Sequence, residues 1–392
     1  MTQREFRKKS FIILGLTVLL LICMVWDTTA FRHSSGESSS AATKTTKTAS
    51  SVSTGSALVT DVQAVWISFG DYKAAGLYNK SQSAFQANAN KYFKKLKKDG
   101  INTIYFHVAP CNDAIYPSKY LKWSSYMFES APDYDPLEIL IQTAHKNKMT
   151  FHAWLNPYRK NMGVSFDPGK ASSLKRIRRI VAEIVQNYNV DGIHFDDYFY
   201  PTTAPDFDAD SYAASGSTIS LADWRRQNVN DLMRACYTAA HAFNVRFGVS
   251  PQGTLSGCRD GQYSDAALWL AKPGYCDYLI PQLYWGLNYR KNGSDALSLG
   301  RLAAEWLSLP RTESVQLAFG LGAYRIGDGD EGDTSGPGTE WCTGHALATQ
   351  ATTLRSLGAS GAALYRYAFL FANTLYPTLA EQEIAALREV WG

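Results

Sequence analysis

Two adjacent acids, Asp196 and Asp197, close an apolar strand-like run in the segment DGIHFDDYFYP at residues 191–201, and three rings, Tyr198, Phe199 and Tyr200, follow at once. Carboxylates ending a buried strand are costly unless they are hydrogen-bonded or functional. Flat apolar ring faces beside them are the surroundings expected where a sugar ring stacks next to proton-transfer groups. A helix cap or an Asx turn accounts for either aspartate singly but leaves the whole cluster unexplained.

The elements that must position these acids are legible in the apolar pattern. Runs of strand length alternate with segments of helical period, as parallel βα units require. The predicted strands are Val62 to Phe69, Ile101 to Val108, Thr150 to Leu155, Gly192 to Asp196, Val245 to Val249, Tyr278 to Leu283, Val315 to Gly320 and Gly361 to Tyr365. Between them, Ala84 to Lys98 reads as a helix stopped by Asp99-Gly100. Leu174 to Tyr188 carries Ile177, Ile180, Val181, Ile184 and Val185 as one stripe. Eight units predict a closed (β/α)8 TIM barrel with long loops at the carboxyl-end face. An open doubly wound sheet is the alternative, and the first strand is not followed by its glycine-rich phosphate loop.

A barrel places chemistry just after each strand. Those positions hold Asp113 and Tyr116, then Asn156, Tyr158 and Arg159, then Asp196 and Asp197. Later come Gln252, then Gln282, Tyr284 and Trp285, then Tyr324 and Arg325, and finally Tyr365, Arg366 and Tyr367. Amides and carboxylates interleaved with rings suit a hydroxyl-rich ligand; Asn and Arg at barrel ends also serve to satisfy loop backbone. Strand alternation sets His194 and Asp196 on one face and Phe195 and Asp197 on the other. Asp196 is therefore expected to face the barrel as the catalytic acid. Asp197 is expected to orient Arg159 or a tyrosine, or to assist proton transfer. His194 and Tyr198 join Asp113, Tyr116, Asn156, Arg159, Gln282, Tyr284, Trp285 and Tyr324 as expected substrate contacts.

If the acids act on a stacked sugar, cleavage by most routes would need a second carboxyl group. No Glu follows the fifth strand, where Ser250-Pro251-Gln252 stands. The second acid is expected from a long loop, with Glu340 as the candidate and Asp328, Asp330, Glu331 and Glu129 as further loop acids. Solvated loop charge also accounts for each of them.

Outside the barrel, Arg4, Arg7, Lys8 and Lys9 precede an apolar run from Phe11 to Trp26, and Thr28-Thr29-Ala30 offers a cleavage site. Residues 1–30 read as an export signal, or as an uncleaved anchor and the chain's one expected membrane contact. Residues 31–57, rich in Ser, Thr, Ala, Gly and Lys, read as a flexible tether, and residues 58–392 as one large domain. A net charge of +4 with much of the basic excess in the signal and tether gives no nucleic-acid groove. Cys111, Cys236, Cys258, Cys276 and Cys342 carry no CxxC or Cys/His spacing, so neither zinc nor another metal or cofactor is expected. A Cys258 to Cys276 disulfide would close a plausible loop.

Six blocks, AVWISF at 64–69, DAIYPS at 113–118, DYDPLEILIQTAHK at 133–146, HAWLNPYR at 152–159, VDGIHFDDYFYP at 190–201 and PQLYW at 281–285, resemble the glycosyl-hydrolase-like 10 family in letters, order and spacing. The resemblance implies a bacterial cell-envelope (β/α)8 barrel that hydrolyses glycosidic bonds, with members acting on peptidoglycan glycan strands. It implies a cell-wall polysaccharide partner and an extracellular or cell-surface location. A fainter similarity runs to the alpha-amylase group, whose fourth strand ends Gly-x-Arg-x-Asp; Gly192, His194 and Asp196 occupy those places. Two other classes stay open. A non-catalytic glycan-binding barrel would use the same rings and amides. A metal-dependent polysaccharide deacetylase shares the Phe-Asp-Asp element, though no HxxxH pair accompanies it here.

Overall fold

The computed structural model describes residues 61–196, 199–333 and 339–392. The predicted signal and tether, together with Asp197 and Tyr198, lie outside the described residues. Strands β1 (Val62–Ile67), β2 (Thr103–Ala109), β3 (Thr150–Leu155), β4 (Gly192–Phe195) and β5 (Arg246–Val249) pair in parallel in that order. Two further strands are interrupted: β6 runs as Tyr278–Leu279 and Gln282–Leu283, and β7 as Gln316–Leu317 and Phe319–Gly322. The last is β8 (Gly361–Tyr365), which pairs with β1.

The interruptions decide how the sheet closes. Pro281 has no N–H to give to a ladder, so β6 breaks there. Its lower segment pairs with β5 and with lower β7, while its upper segment pairs with upper β7, which in turn pairs with β8. The register carries across both breaks through Ala318 N to Leu279 O at 3.1 Å and Gly320 N to Pro281 O at 2.8 Å. The strands therefore form a closed parallel (β/α)8 barrel, the TIM-barrel fold.

A helix follows each strand: α1 (Gln82–Lys98), α2 (Pro136–Lys146), α3 (Ala171–Asn187), α4 (Leu221–His241), α5 (Ala266–Ala271), α6 (Leu299–Leu307), α7 (Ala346–Ser356) and α8 (Pro377–Trp391). In α3 the predicted stripe Ile177, Ile180, Val181, Ile184 and Val185 is buried against the sheet. Helix α1 ends at Asp99, and Gly100 follows at φ +90, where a Cβ would also meet Trp391 Cβ at 2.9 Å.

Two apolar layers result. One lies between strands and helices; the other fills the bore with Val62, Ala64, Trp66, Tyr105, Trp154, Tyr278, Ile280, Ala318 and Ala363. Large bore residues need small neighbours. A Cβ on Gly192 would lie 2.1 Å from His152 Nδ1, and one on Gly248 would lie 2.2 Å from the Tyr278 ring, so glycine on β4 and β5 makes room for the rings of β3 and β6. The thiols of Cys258 and Cys276 do not meet each other. They rest on the carbonyl oxygens of Gln252 at 3.1 Å and Trp269 at 3.7 Å.

Candidate active site at the carboxyl end of the barrel

Asp196 follows β4 directly and is 8% exposed. Gln282, at the upper segment of β6, donates from Nε2 to Asp196 Oδ1 at 3.0 Å and leans on the Ser250 hydroxyl at 3.2 Å and carbonyl at 3.3 Å. Ser250 in turn donates to Ile280 O at 2.9 Å. Gln282 is thus fixed with its amide donor toward the acid, and three consecutive strands, β4, β5 and β6, set the orientation of one carboxyl group. A carboxyl group held in this way at the mouth of a barrel can act as nucleophile or as proton donor and acceptor.

Below Asp196 the bore holds a chain of neutral rings. Trp66 on β1 donates from Nε1 to His194 Nε2 at 3.0 Å across the barrel, and Tyr278 OH lies 3.3 Å from His194 Nδ1 and 2.8 Å from His152 Nδ1. Because Trp66 can only donate, His194 Nε2 must accept. Burial, with His152 beside it, holds His194 well below the usual imidazole range, and burial with the nearby Arg246 lowers His152 to about 3. His194 is fully buried with both ring nitrogens engaged by Trp66 and Tyr278, so it forms the floor of the site.

Two walls rise from this floor. On the β6 to β8 side Tyr284 stacks on Tyr365 at 5.4 Å, Tyr324 meets Tyr284 edge-on at 5.7 Å, and Tyr365 reaches Trp66 at 6.0 Å. On the β1 to β3 side Phe69 lies 4.6 Å from Tyr126 and 5.6 Å from His107. His107 in turn lies flat on Trp154, centroids 3.8 Å apart and planes within 7°. Trp154 also donates from Nε1 to Asn156 Oδ1 at 2.9 Å, which turns the Asn156 Nδ2 group the other way. Arg159 sits against the Cys111 thiol, and Asp113 accepts from the Cys111 amide at 2.8 Å.

Several expected contacts are engaged elsewhere. Tyr116 points outward to Glu183 of α3 at 3.3 Å. Trp285 takes the opposite side from Tyr284 and packs edge-on to Tyr289 at 6.3 Å. Glu340 accepts from the Leu287 and Asn288 amides at 3.0 and 3.3 Å and from Gln350 Nε2 at 2.8 Å, so both its oxygens hold the loop after β6. Asp330 clamps the same loop through Gly286 N at 2.8 Å and Trp341 Nε1 at 3.0 Å. Tyr376 occupies Asp328, Arg325 lies 3.8 Å from Glu331, and Tyr78 donates to Glu129. Arg366 pairs with the buried Asp71, joining the ends of β8 and β1.

The profile of the glycosyl hydrolase-like 10 family matches residues 61–165 and 160–335. The chain belongs to this family. It is 30% identical over 298 residues to glycosyl hydrolase YngK of Bacillus subtilis strain 168, a match covering 63% of this chain and 57% of that one. It is 31% identical over 290 residues to glycosyl hydrolase DigH of Escherichia coli strain K12, covering 59% of this chain and 64% of the relative. The chain thus spans roughly three fifths of the length of these two family relatives. The fold is shared with the PgaB (BpsB) glycoside hydrolase domain from Bordetella bronchiseptica, with TM-score 0.56, 13% identity and coverage of 85% of this chain and 99% of that one. It is likewise shared with an endo-1,4-beta-mannanase from Rhizomucor miehei, with TM-score 0.53, 11% identity and coverage of 84% and 94%.

Within this family member the residues that sequence reasoning missed are Trp66, His107, Trp154 and Tyr278, all directed into the bore. A signal for His107 was present. In Thr103–Ala109 the parity of Tyr105 and His107 is that of the bore-facing side, and an imidazole there interrupts an otherwise apolar strand.

Proposed function

We propose that the chain is an exported glycoside hydrolase that acts on a bacterial envelope glycan, the glycan strands of peptidoglycan in particular, by carboxylate acid/base chemistry. The observation that carries this reading is Asp196, held at the end of β4 by Gln282 beside the Tyr284, Tyr324 and Tyr365 wall. An oriented carboxyl group next to ring platforms is what cleavage of a stacked sugar requires. Family membership supports glycan chemistry, the apolar N-terminal run supports export to the envelope, and the likeness to the glycosyl hydrolases YngK and DigH supports hydrolysis. The test is to incubate the purified protein with peptidoglycan, stripped glycan strands, chitin-type oligomers and alpha-glucans, with and without chelator, and to weigh the products. Chain cleavage of the stripped strands that Asp196→Asn abolishes is the expected result. Release from alpha-glucans alone defeats the envelope reading, and chelator-sensitive loss of acetate without chain cleavage points to a deacetylase.

One observation favours a second reading, a non-catalytic glycan-binding barrel. Asp71, Asp330 and Glu340 each spend their carboxyl groups on protein donors, so these acids hold structure together. Glycan binding without turnover by any of these substrates selects that reading.

A further inference from the structure

We propose that His107, with Asn156 beside it, forms a charge-neutral hydrogen-bonding subsite for the hydroxyl and carbonyl groups of a sugar ring, positioned by Trp154. The proposal rests on the glycan reading above and extends it to residues of β2 and the end of β3. His107 is 1% exposed and Asn156 5%. Among the described residues neither ring nitrogen of His107 and no donor position on Asn156 Nδ2 has a hydrogen-bond partner. Leaving a buried polar group unpaired costs stability, and a partner arriving from outside the chain is one way that cost is met.

Their placement is common to both. His107 pairs in register with Trp154, and Trp154 with His194, so Asn156 and Asp196 leave adjacent strands two residues further on, at the same level of the mouth. Trp154 fixes both groups at once. Its ring sets the plane of the imidazole, and its Nε1 holds Asn156 Oδ1, which decides that the amide end and not the carbonyl end is unpaired. Burial, then the positive Arg159 and the neighbouring His194, keep His107 well below the usual imidazole range. A neutral imidazole offers one donor and one acceptor, and a hydroxyl answers either, whereas a carboxylate answers only donors. The Asn156 amide adds a donor suited to a hydroxyl or an acetamido carbonyl. The subsite therefore suits a hydroxyl-bearing ring at the level of Asp196.

The test compares the unaltered full chain with His107→Phe, His107→Gln and Asn156→Leu, measuring thermal unfolding and affinity for the N-acetylglucosamine tetramer. Phenylalanine keeps the ring on Trp154 and removes the orphan nitrogens. His107→Phe is expected to raise Tm by about 2 °C and to weaken tetramer binding by about tenfold or more, with His107→Gln keeping part of the affinity. A lower Tm with unchanged affinity overturns the subsite. A second measurement needs no substitution: nitrogen NMR of the histidine rings should show the His107 signals move on adding the tetramer, and signals that stay in place while the tetramer binds overturn it. His107-dependent binding without cleavage of any strand keeps the subsite and defeats the hydrolase reading. Normal cleavage by His107→Phe does the reverse.

Discussion

At the amino end of the barrel Asp191 accepts from His145 at 2.7 Å and from the Phe151 amide at 2.7 Å. Two strands on, Asp277 repeats the arrangement with His241 at 2.9 Å and the Phe247 amide at 2.7 Å. Arg246 closes the same end on Gln316 at 2.5 Å and covers the Tyr278 ring. At the carboxyl end His107 and Asn156 are buried with donors and acceptors unspent, among the described residues. At the amino end Asp191 and Asp277 tie the starts of β3 and β5 to the helices before them. The carboxyl end leaves stabilisation unrealised close to Asp196. That division matches the general use of the two faces of such barrels, and it teaches that burial alone does not separate a functional group from a structural one. What separates them is whether the chain itself supplies the partner.

The comparison yields four predictions. The largest effect is expected for Asp196→Asn: kcat on stripped glycan strands should fall by about three powers of ten or more, some 4 kcal/mol in the barrier, while Tm stays within about 2 °C. Near-normal turnover by the folded variant would break the contrast between the two ends. At the other end Asp191→Ala should cost about 2 kcal/mol of stability, read from denaturant midpoints, because it strands the buried Phe151 amide and His145. The folded fraction should keep its kcat. Gln282→Leu should lower kcat by about tenfold, roughly 1.4 kcal/mol, with KM little changed, since it removes only the group that orients Asp196.

The smallest effect is a pH dependence. The hydrogen bond that His145 donates to Asp191 raises His145 above the ordinary imidazole value of 6.5, against the effect of burial. Burial pushes Asp191 up, but the bonds from His145 and the Phe151 amide outweigh it and leave Asp191 below 3.8. A raised histidine contributes stability in full below its unfolded value and loses it as pH rises through the folded one. A lowered aspartate contributes above its unfolded value and loses it as pH falls. The pair is therefore complete between the ordinary values 3.8 and 6.5, and stability should decline as pH rises just beyond 6.5. His145→Gln should flatten that decline in thermal scans taken across the window, without changing the pH profile of kcat.

Much of the fold is legible in the sequence. The α3 stripe of Ile177, Ile180, Val181, Ile184 and Val185 is a local periodicity, and helices bury such stripes whatever lies opposite. The stop at Asp99-Gly100 is equally local. For the site, the sequence pointed to Asp196 and Gln282 but not to their hydrogen bond, which joins residues 86 apart. Glu340 looked like loop charge available for catalysis; its partners Leu287 and Asn288 lie more than fifty residues earlier in the chain.

The order and spacing of apolar runs thus determined a (β/α)8 barrel and placed Asp196 at its carboxyl end, because hydrophobic periodicity acts within a few residues of itself. Only closure of the barrel decided which polar groups meet. Trp66 reaches His194 across 128 residues, Tyr116 is drawn outward to Glu183, and His107 is enclosed on Trp154 with no hydrogen-bond partner among the described residues. Hydrogen-bond partnership depends on distances that exist once β8 has paired with β1, and those distances separate the floor, the clamps and the subsite among side chains of the same chemical types.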